Sequence, residues 1–209
     1  MTITRIPSLP DLDPKVAWSQ RVRKVGGYIQ LAFAAFWLTR GGLSVGGITG
    51  TGLAIAGVLL SLAVLAYAVV VSAGVGRRPT GAEAKRIERS ITAATVIELI
   101  ASFAFPVIVV AAGHSDWVLP SIAITIGPLL LWLDHVVHIP RLRPVGWALT
   151  IGPVILVAVL SGATLAATTG LAAGVILLGT AAAGFHDLAS LRPRQPSRTV
   201  KTSPSSTGA

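Results

Sequence analysis

The chain has 209 residues, of which 53% are hydrophobic and only 12% are charged, and its mean hydropathy is +0.75. Ordinary soluble domains carry about 25% charged residues, so this composition excludes a soluble globular protein. The net charge of +9 would suggest a nucleic-acid partner in a soluble protein, but here the charges lie between apolar blocks, where membrane topology and anionic lipid headgroups explain them, so we expect no nucleic acid.

The leading segment, residues 1–24, is polar and is expected to form a cytoplasmic segment that ends in an amphipathic helix. Asp13 followed by Pro14 is typical of an N-cap and a first helical residue. An apolar stripe follows at helical spacing: Trp18, Val22, Val25 and Ile29. This pattern predicts an interfacial helix or a cytoplasmic extension of the first span. We expect no cleaved signal peptide, because about 24 polar residues precede the first apolar block.

Six apolar segments follow, and about 20 apolar residues are enough for a helix to cross a bilayer. They are residues 25–38, 51–73, 91–112, 118–139, 145–160 and 165–185. The first and fifth reach only ~21 to 24 Å, so their flanks must continue the helix or their arginines must snorkel. The sequence therefore predicts an all-α membrane protein, a bundle of six transmembrane helices within residues 25–190.

Basic residues alternate between the connectors. Of the 17 lysines and arginines, all except Arg40 lie in the leading segment, the second connector, the fourth connector or the tail. Because lysine and arginine accumulate on the cytoplasmic side, this predicts a multi-pass protein of the cell membrane with both termini cytoplasmic. Four tryptophans fall at predicted membrane boundaries: Trp18 and Trp147 at the cytoplasmic side, Trp37 and Trp117 at the outer side.

Local signals refine the boundaries of the spans. Thr80 and Glu83 form a capping-box pattern, which predicts that the third helix begins near Gly81 and enters the membrane near Ser90. The tail, residues 191–209, is rich in proline, serine and arginine and has little to bury, so we expect it to be a disordered, basic cytoplasmic segment.

Small residues in the last helix predict close helix packing. Gly170 and Gly174 are four residues apart, and a further set continues toward His186: Ala172, Val175, Gly179 and Ala182. We expect this face to pack inward, within the chain rather than in a dimer. The oligomeric state does not follow from the sequence.

Ionisable side chains inside spans are costly and mark candidate functional sites. Glu98 lies ~12 Å inside the third helix. Asp134, His135 and His138 lie near the end of the fourth helix, and His186, with Asp187, near the end of the sixth. All are in the predicted cytoplasmic half. If the third, fourth and sixth helices are neighbours, these side chains line one cavity that faces the cytoplasm.

Carboxylates and imidazoles in one cavity suit a proton relay, a substrate site or a divalent metal. His135 and His138 are three residues apart, unlike the pair in HExxH, so we predict no metal and no cofactor. The structural alternative is hydration in the headgroups, with Asp134 paired to Arg141 or Arg143. The chain has no cysteine, which excludes disulfides and thiolate sites, and it lacks serine-hydrolase, phosphate-loop and dinucleotide motifs.

Ile-Gly-Pro occurs twice, at residues 126–128 and 151–153, as a hinge pair, a trace of duplication or a coincidence. As a whole, the chain resembles small uncharacterised bacterial membrane proteins with six spans. Its segment IGPLLLWLDHVVHIPRLRPVGWAL is similar, in the spacing of Gly, Pro and Gly, to a helix-turn-helix found in such families. The resemblance implies a fold type and no functional residues.

Three classes of function remain open. The first is a small carrier or ligand-binding membrane protein that uses the acid and histidine set. The second is a membrane enzyme that acts on a lipid or isoprenoid at the cytoplasmic interface. The third is a structural or partner-binding role. In each case the expected partners are membrane lipids, with anionic headgroups at the cytoplasmic face.

Overall fold

The computed structural model describes residues 14–73 and 79–190. Six long helices make up this part of the chain: α1 (Pro14–Val45), α2 (Gly47–Ser72), α3 (Ala82–Ala111), α4 (Val118–Val137), α5 (Leu142–Val159) and α6 (Gly162–Ser190). A single 3-10 turn, Ser115–Trp117, precedes α4. The Asp13 cap, Arg77 and Arg78 of the second connector, and the tail predicted to be disordered lie outside the described residues.

Five of the helices, α2 to α6, are long and apolar enough to cross a membrane. The prediction of an all-helical chain with several span-length helices is therefore confirmed. α1 does not qualify, and its sequence explains why: only residues 25–39 separate Lys24 from Arg40, a helical length of ~22 Å. α1 is nevertheless one uninterrupted helix that includes residues 14–24.

The helices pack as two groups that share a core. α1 lies along α6 with α2 beside both, and α4 lies between α3 and α5. Trp37 of α1, Leu130 of α4 and Leu177 of α6 are buried together where the groups meet. Many large apolar side chains instead point outward, and α3 buries only Ala84 and Ile87. Such exposure is rare on a soluble monomer but is expected of helices surrounded by lipid.

Glycines set the separation of α1 and α6. A Cβ atom on Gly170 would lie 2.5 Å from the Cα atom of Gly41, and one on Gly174 would lie 2.6 Å from Cγ of Leu38. The two backbones therefore touch, as small residues allow in membrane helix pairs. The prediction that Gly170 and Gly174 pack within the chain is confirmed.

The rest of the small-residue face was predicted wrongly. Ala172, Val175, Gly179 and His186 are exposed. The inward face of α6 instead continues from Gly170 and Gly174 through Leu177, Ala181, Phe185 and Leu188. Ala172 is two residues from Gly170 and therefore lies about 200° around the helix from it. Helical spacing, and not the size of the residue, decides which side chains of α6 face inward.

The two Ile-Gly-Pro stretches have different surroundings. A Cβ atom on Gly127 would lie 2.6 Å from the carbonyl oxygen of Gly146, so α4 and α5 touch there, whereas Gly152 has open space around it. Both helices continue through their prolines, Pro128 and Pro153. The environments do not match, which argues against a paired hinge.

One local prediction needs correction. α3 begins next to Gly81 as predicted, but Gly81 itself is the N-cap, with φ 110°, and no side chain caps the helix. The capping-box prediction is wrong because the chain turns at Gly81 rather than at Thr80.

Replacing Gly170 by alanine should destabilise the bundle, because its Cβ atom would meet the α1 backbone. We expect the free energy of unfolding in micelles, followed by circular dichroism, to fall by about 1–3 kcal/mol. Gly179→Ala is the matched control on the same helix, since a Cβ atom there has nothing within 4 Å. Equal stability of the two variants would contradict the close contact between α1 and α6.

Candidate functional site

The two ends of the bundle differ in charge. At one end lie the first residues of α1, α3 and α5 and the last residues of α2, α4 and α6. The indole Nε1 of Trp18 donates to the Ala84 carbonyl oxygen at 3.1 Å, and Nζ of Lys24 donates to the Ser72 carbonyl oxygen at 2.9 Å, which ties α1 to α3 and α2 there. Every described lysine and arginine except Arg40 belongs to this end, which we call the basic end.

Asp134 belongs to an ion pair at the basic end. Its side chain is buried, and its Oδ2 atom accepts a hydrogen bond from Nε of Arg143 at 3.1 Å. This is the pairing named above as the structural alternative. The two histidines nearby are exposed: His135 lies beside the Trp132 ring, and His138 ends α4 in the left-handed conformation.

His186 is also exposed, on the outer side of α6. Its neighbour Asp187 is half-buried, and its Oδ2 atom accepts a hydrogen bond from Arg23 at 3.1 Å. The same oxygen forms an ion pair with Arg141 at 2.9 Å, while Arg141 donates its hydrogen bond to the Ala183 carbonyl oxygen. This three-residue cluster joins α1, the turn between α4 and α5, and α6. The sequence identified Asp187 as an ionisable residue in a span, but it did not indicate which residues pair with it. Arg23 is 164 residues away along the chain, and the pairing depends on how the intervening helices pack.

The adjacency assumed for the third, fourth and sixth helices holds only in part. α3 packs on α4, and α4 touches α6, but α3 makes no extensive contact with α6. Glu98 lines a groove to which Asp134, His135, His138 and His186 do not contribute. Within the described ranges, no three histidine, aspartate or glutamate side chains come together to hold a metal ion.

The Glu98 groove lies between α3 and α4 and has a volume of about 440 Å³. Its lining is apolar except for Ser90, Thr125 and Glu98, so Glu98 is the one ionisable group that lines it. Ile97 and Trp132 line the groove and are exposed, so it opens to the side of the bundle. A further groove of about 220 Å³ adjoins it toward the opposite end, and Phe105 and Ile124 line both.

A chain of hydrogen bonds connects Glu98 to α4. Oγ of Ser102 donates to Oε1 of Glu98 at 2.8 Å and lies 2.6 Å from Oγ1 of Thr125, which lies 2.8 Å from the Ile122 carbonyl oxygen. Ser102 is one helical turn beyond Glu98, so the sequence places both on one face. Thr125 was missed, because its role depends on how α3 and α4 are aligned.

The number of hydroxyl protons in this series of hydrogen bonds limits which of its contacts can be filled. Each hydroxyl donates once, and a carboxylate donates nothing. With Glu98 ionised, Ser102 donates to it, Thr125 donates to Ser102, and the Ile122 carbonyl receives no proton from Thr125. With Glu98 as a carboxylic acid, each group donates to the next and all three contacts are filled. Rotating two hydroxyls thus lets Glu98 gain or lose a proton while keeping its contact with Ser102.

The chain matches no protein family, no curated protein and no solved structure significantly.

The ion pair between Asp134 and Arg143 should be structural, which a double-mutant cycle can measure. Arg143 is 71% exposed, so we expect a coupling free energy of only about 0.5–1 kcal/mol between Arg143→Gln and Asp134→Asn in micelle unfolding. Arg86→Gln removes an exposed charge from α3 and serves as the control. If Arg86→Gln couples to Asp134→Asn as strongly as Arg143→Gln does, the ion pair between Asp134 and Arg143 is not specific.

Proposed function

We propose that the chain crosses the cell membrane six times, with the basic end and both termini in the cytoplasm. α1 packs against α2, α3, α4 and α6, all of span length. Such neighbours shield much of its surface from lipid, so its short apolar stretch suffices when Lys24 and Arg40 extend toward the two headgroup regions. The gathering of basic residues at one end agrees with the positive-inside rule.

The function best supported for this protein is the binding of an amphiphilic molecule in the Glu98 groove. As a small carrier, the protein would also move this molecule. The single observation that carries this proposal is one ionisable side chain, Glu98, in an apolar groove open to the side of the bundle. A ligand could enter from the lipid and lay its apolar part along α3 and α4. The adjoining groove lengthens this path, which suits an extended chain.

Glu98 selects the polar part of the ligand. A carboxylate in apolar surroundings favours a cationic group, because the pair offsets the cost of burying each charge. When Glu98 carries a proton, every hydrogen bond from Glu98 through Ser102 and Thr125 to the Ile122 carbonyl oxygen is filled and no cation is needed. Cation and proton therefore compete for one carboxyl group, which is the requirement for proton-coupled exchange.

The enzyme alternative has less support. Action on a lipid or isoprenoid at the cytoplasmic interface calls for a groove that ends at Asp134 and His138, whereas neither residue lines the Glu98 groove. A binding role needs only the groove and Glu98. Anionic lipids at the basic end remain the proposed partners.

Glu98→Gln should abolish pH-dependent ligand binding. The probe is a fluorescent hydrophobic phosphonium cation, titrated into purified protein in lipid nanodiscs at several pH values. For the unaltered protein we expect affinity to rise with pH, because only the ionised carboxyl pairs with the cation. The variant should bind about tenfold more weakly and lose this pH dependence.

Glu83→Gln is the matched control, since Glu83 is exposed on the same helix and lies outside the groove. It should behave like the unaltered protein. Identical titrations for the Glu98 and Glu83 variants would refute the role of Glu98 and leave a structural or partner-binding role.

Single introduced cysteines test the topology cleanly, because the chain has none of its own. Glu83 at the basic end and Ser115 at the opposite end are both exposed. A maleimide that cannot cross membranes should label Ser115→Cys in intact cells, and Glu83→Cys only in inverted vesicles or after lysis. Labelling of both from the same side would contradict the proposed arrangement.

A further inference from the structure

A second cavity lies at the basic end, apart from the Glu98 groove, and we call it the arginine pocket. Arg23, Arg141 and Asp187 line it together with two neutral polar residues, Gln30 and Thr180, and with apolar and small residues of α1, α4, α5 and α6. Its volume is about 40 Å³. That is room for roughly three water-sized groups, at about 10–15 Å³ for each.

The charges around the arginine pocket do not balance. Both arginines form ion pairs with the same oxygen of Asp187, so two guanidinium groups share one carboxylate and a single positive charge remains. Nε of Arg23 is buried and has no hydrogen-bond partner among the described residues. A buried donor without an acceptor is unfavourable, so Asp187 does not satisfy the whole Arg23 guanidinium group, and the pocket beside it suits an additional group that carries negative charge.

Two glycines keep the arginine pocket open. A Cβ atom on Gly26 would approach only Cγ1 of Val22, at 3.8 Å, and one on Gly184 only the Arg23 carbonyl oxygen, at 4.0 Å. Gly41 and Gly170 differ, because there a Cβ atom would collide with backbone. Gly26 and Gly184 thus leave space that no neighbouring helix occupies.

We propose that the arginine pocket binds a singly charged phosphate group, supplied by the phosphodiester of an anionic membrane lipid. A guanidinium group presents its donors in a planar fork that matches phosphate oxygens. One negative charge neutralises the positive charge left by the cluster. The site stands on the Arg23, Arg141 and Asp187 cluster and is independent of the function proposed for Glu98.

Lipid titration of the delipidated, full-length protein in mixed micelles tests this site, with bound lipid counted by native mass spectrometry. We expect phosphatidylglycerol to bind more tightly than phosphatidylcholine, whose headgroup has no net charge. Arg23→Gln should weaken phosphatidylglycerol binding about tenfold. Arg89→Gln is the matched control, because it removes an exposed charge from the same end outside the pocket, and it should leave binding nearly unchanged.

Inorganic phosphate distinguishes the two sources of the ligand. If it displaces phosphatidylglycerol from the unaltered protein but binds Arg23→Gln more weakly, the pocket takes free phosphate; if it does not compete, the pocket takes the lipid headgroup. Equal phosphatidylglycerol binding by Arg23→Gln and the unaltered protein, or an equal loss in Arg89→Gln, overturns the proposal.

A second variant covers the case in which Arg23→Gln does not fold. Gly26→Ala combined with Gly184→Ala narrows the pocket, keeps every charge and replaces helical glycine by a better helix former. We expect weaker phosphatidylglycerol binding and undiminished thermal stability. Unchanged binding by this double variant also overturns the proposal.

Discussion

The contact between the backbones of α1 and α6 decides where the other parts of the molecule lie. Gly41 and Gly170 allow it, and no larger side chain could be placed there without moving a helix. Because the helices run antiparallel, this contact also brings the beginning of α1 beside the end of α6. Arg23 therefore meets Asp187, and the apolar cluster around Phe185 closes between α1, α2 and α6.

α3 is held very differently. It packs on α4 and touches α1 through its first turns, where Ala84 and Ile87 are buried. The remainder of α3 has no buried residue, so its separation from α4 is not fixed by interlocked side chains as that of α1 and α6 is. The hydrogen bonds from Glu98 through Ser102 to Thr125 are then the polar link between these two helices. Glu98 thus both lines the groove and takes part in the contact between the two helices.

Much of the fold could be predicted from the sequence, because the cost of burying charge in lipid leaves a strong one-dimensional pattern. The apolar segments follow from it. The packing of Gly170 and Gly174 within the chain follows instead from the spacing of small residues, and the start of α3 near Gly81 was predicted from a capping pattern that the structure does not form. The site could be predicted only in part. Glu98 was recognisable as a charge inside a span, but its partner Thr125 depends on the alignment of α3 and α4. His186 was placed wrongly, because small residues alone do not identify the inward face of a helix.

The connections at the end opposite the basic end are very short. α1 and α2 are separated only by Gly46, α5 and α6 only by Leu160 and Ser161, and the Gly162 amide there donates to Asp116 of the 3-10 turn. Such short connections expose little polypeptide beyond the lipid headgroups. An antibody or a water-soluble protein approaching from that side would meet only the ends of the helices, these short connections and the segment of residues 112–117 between α3 and α4.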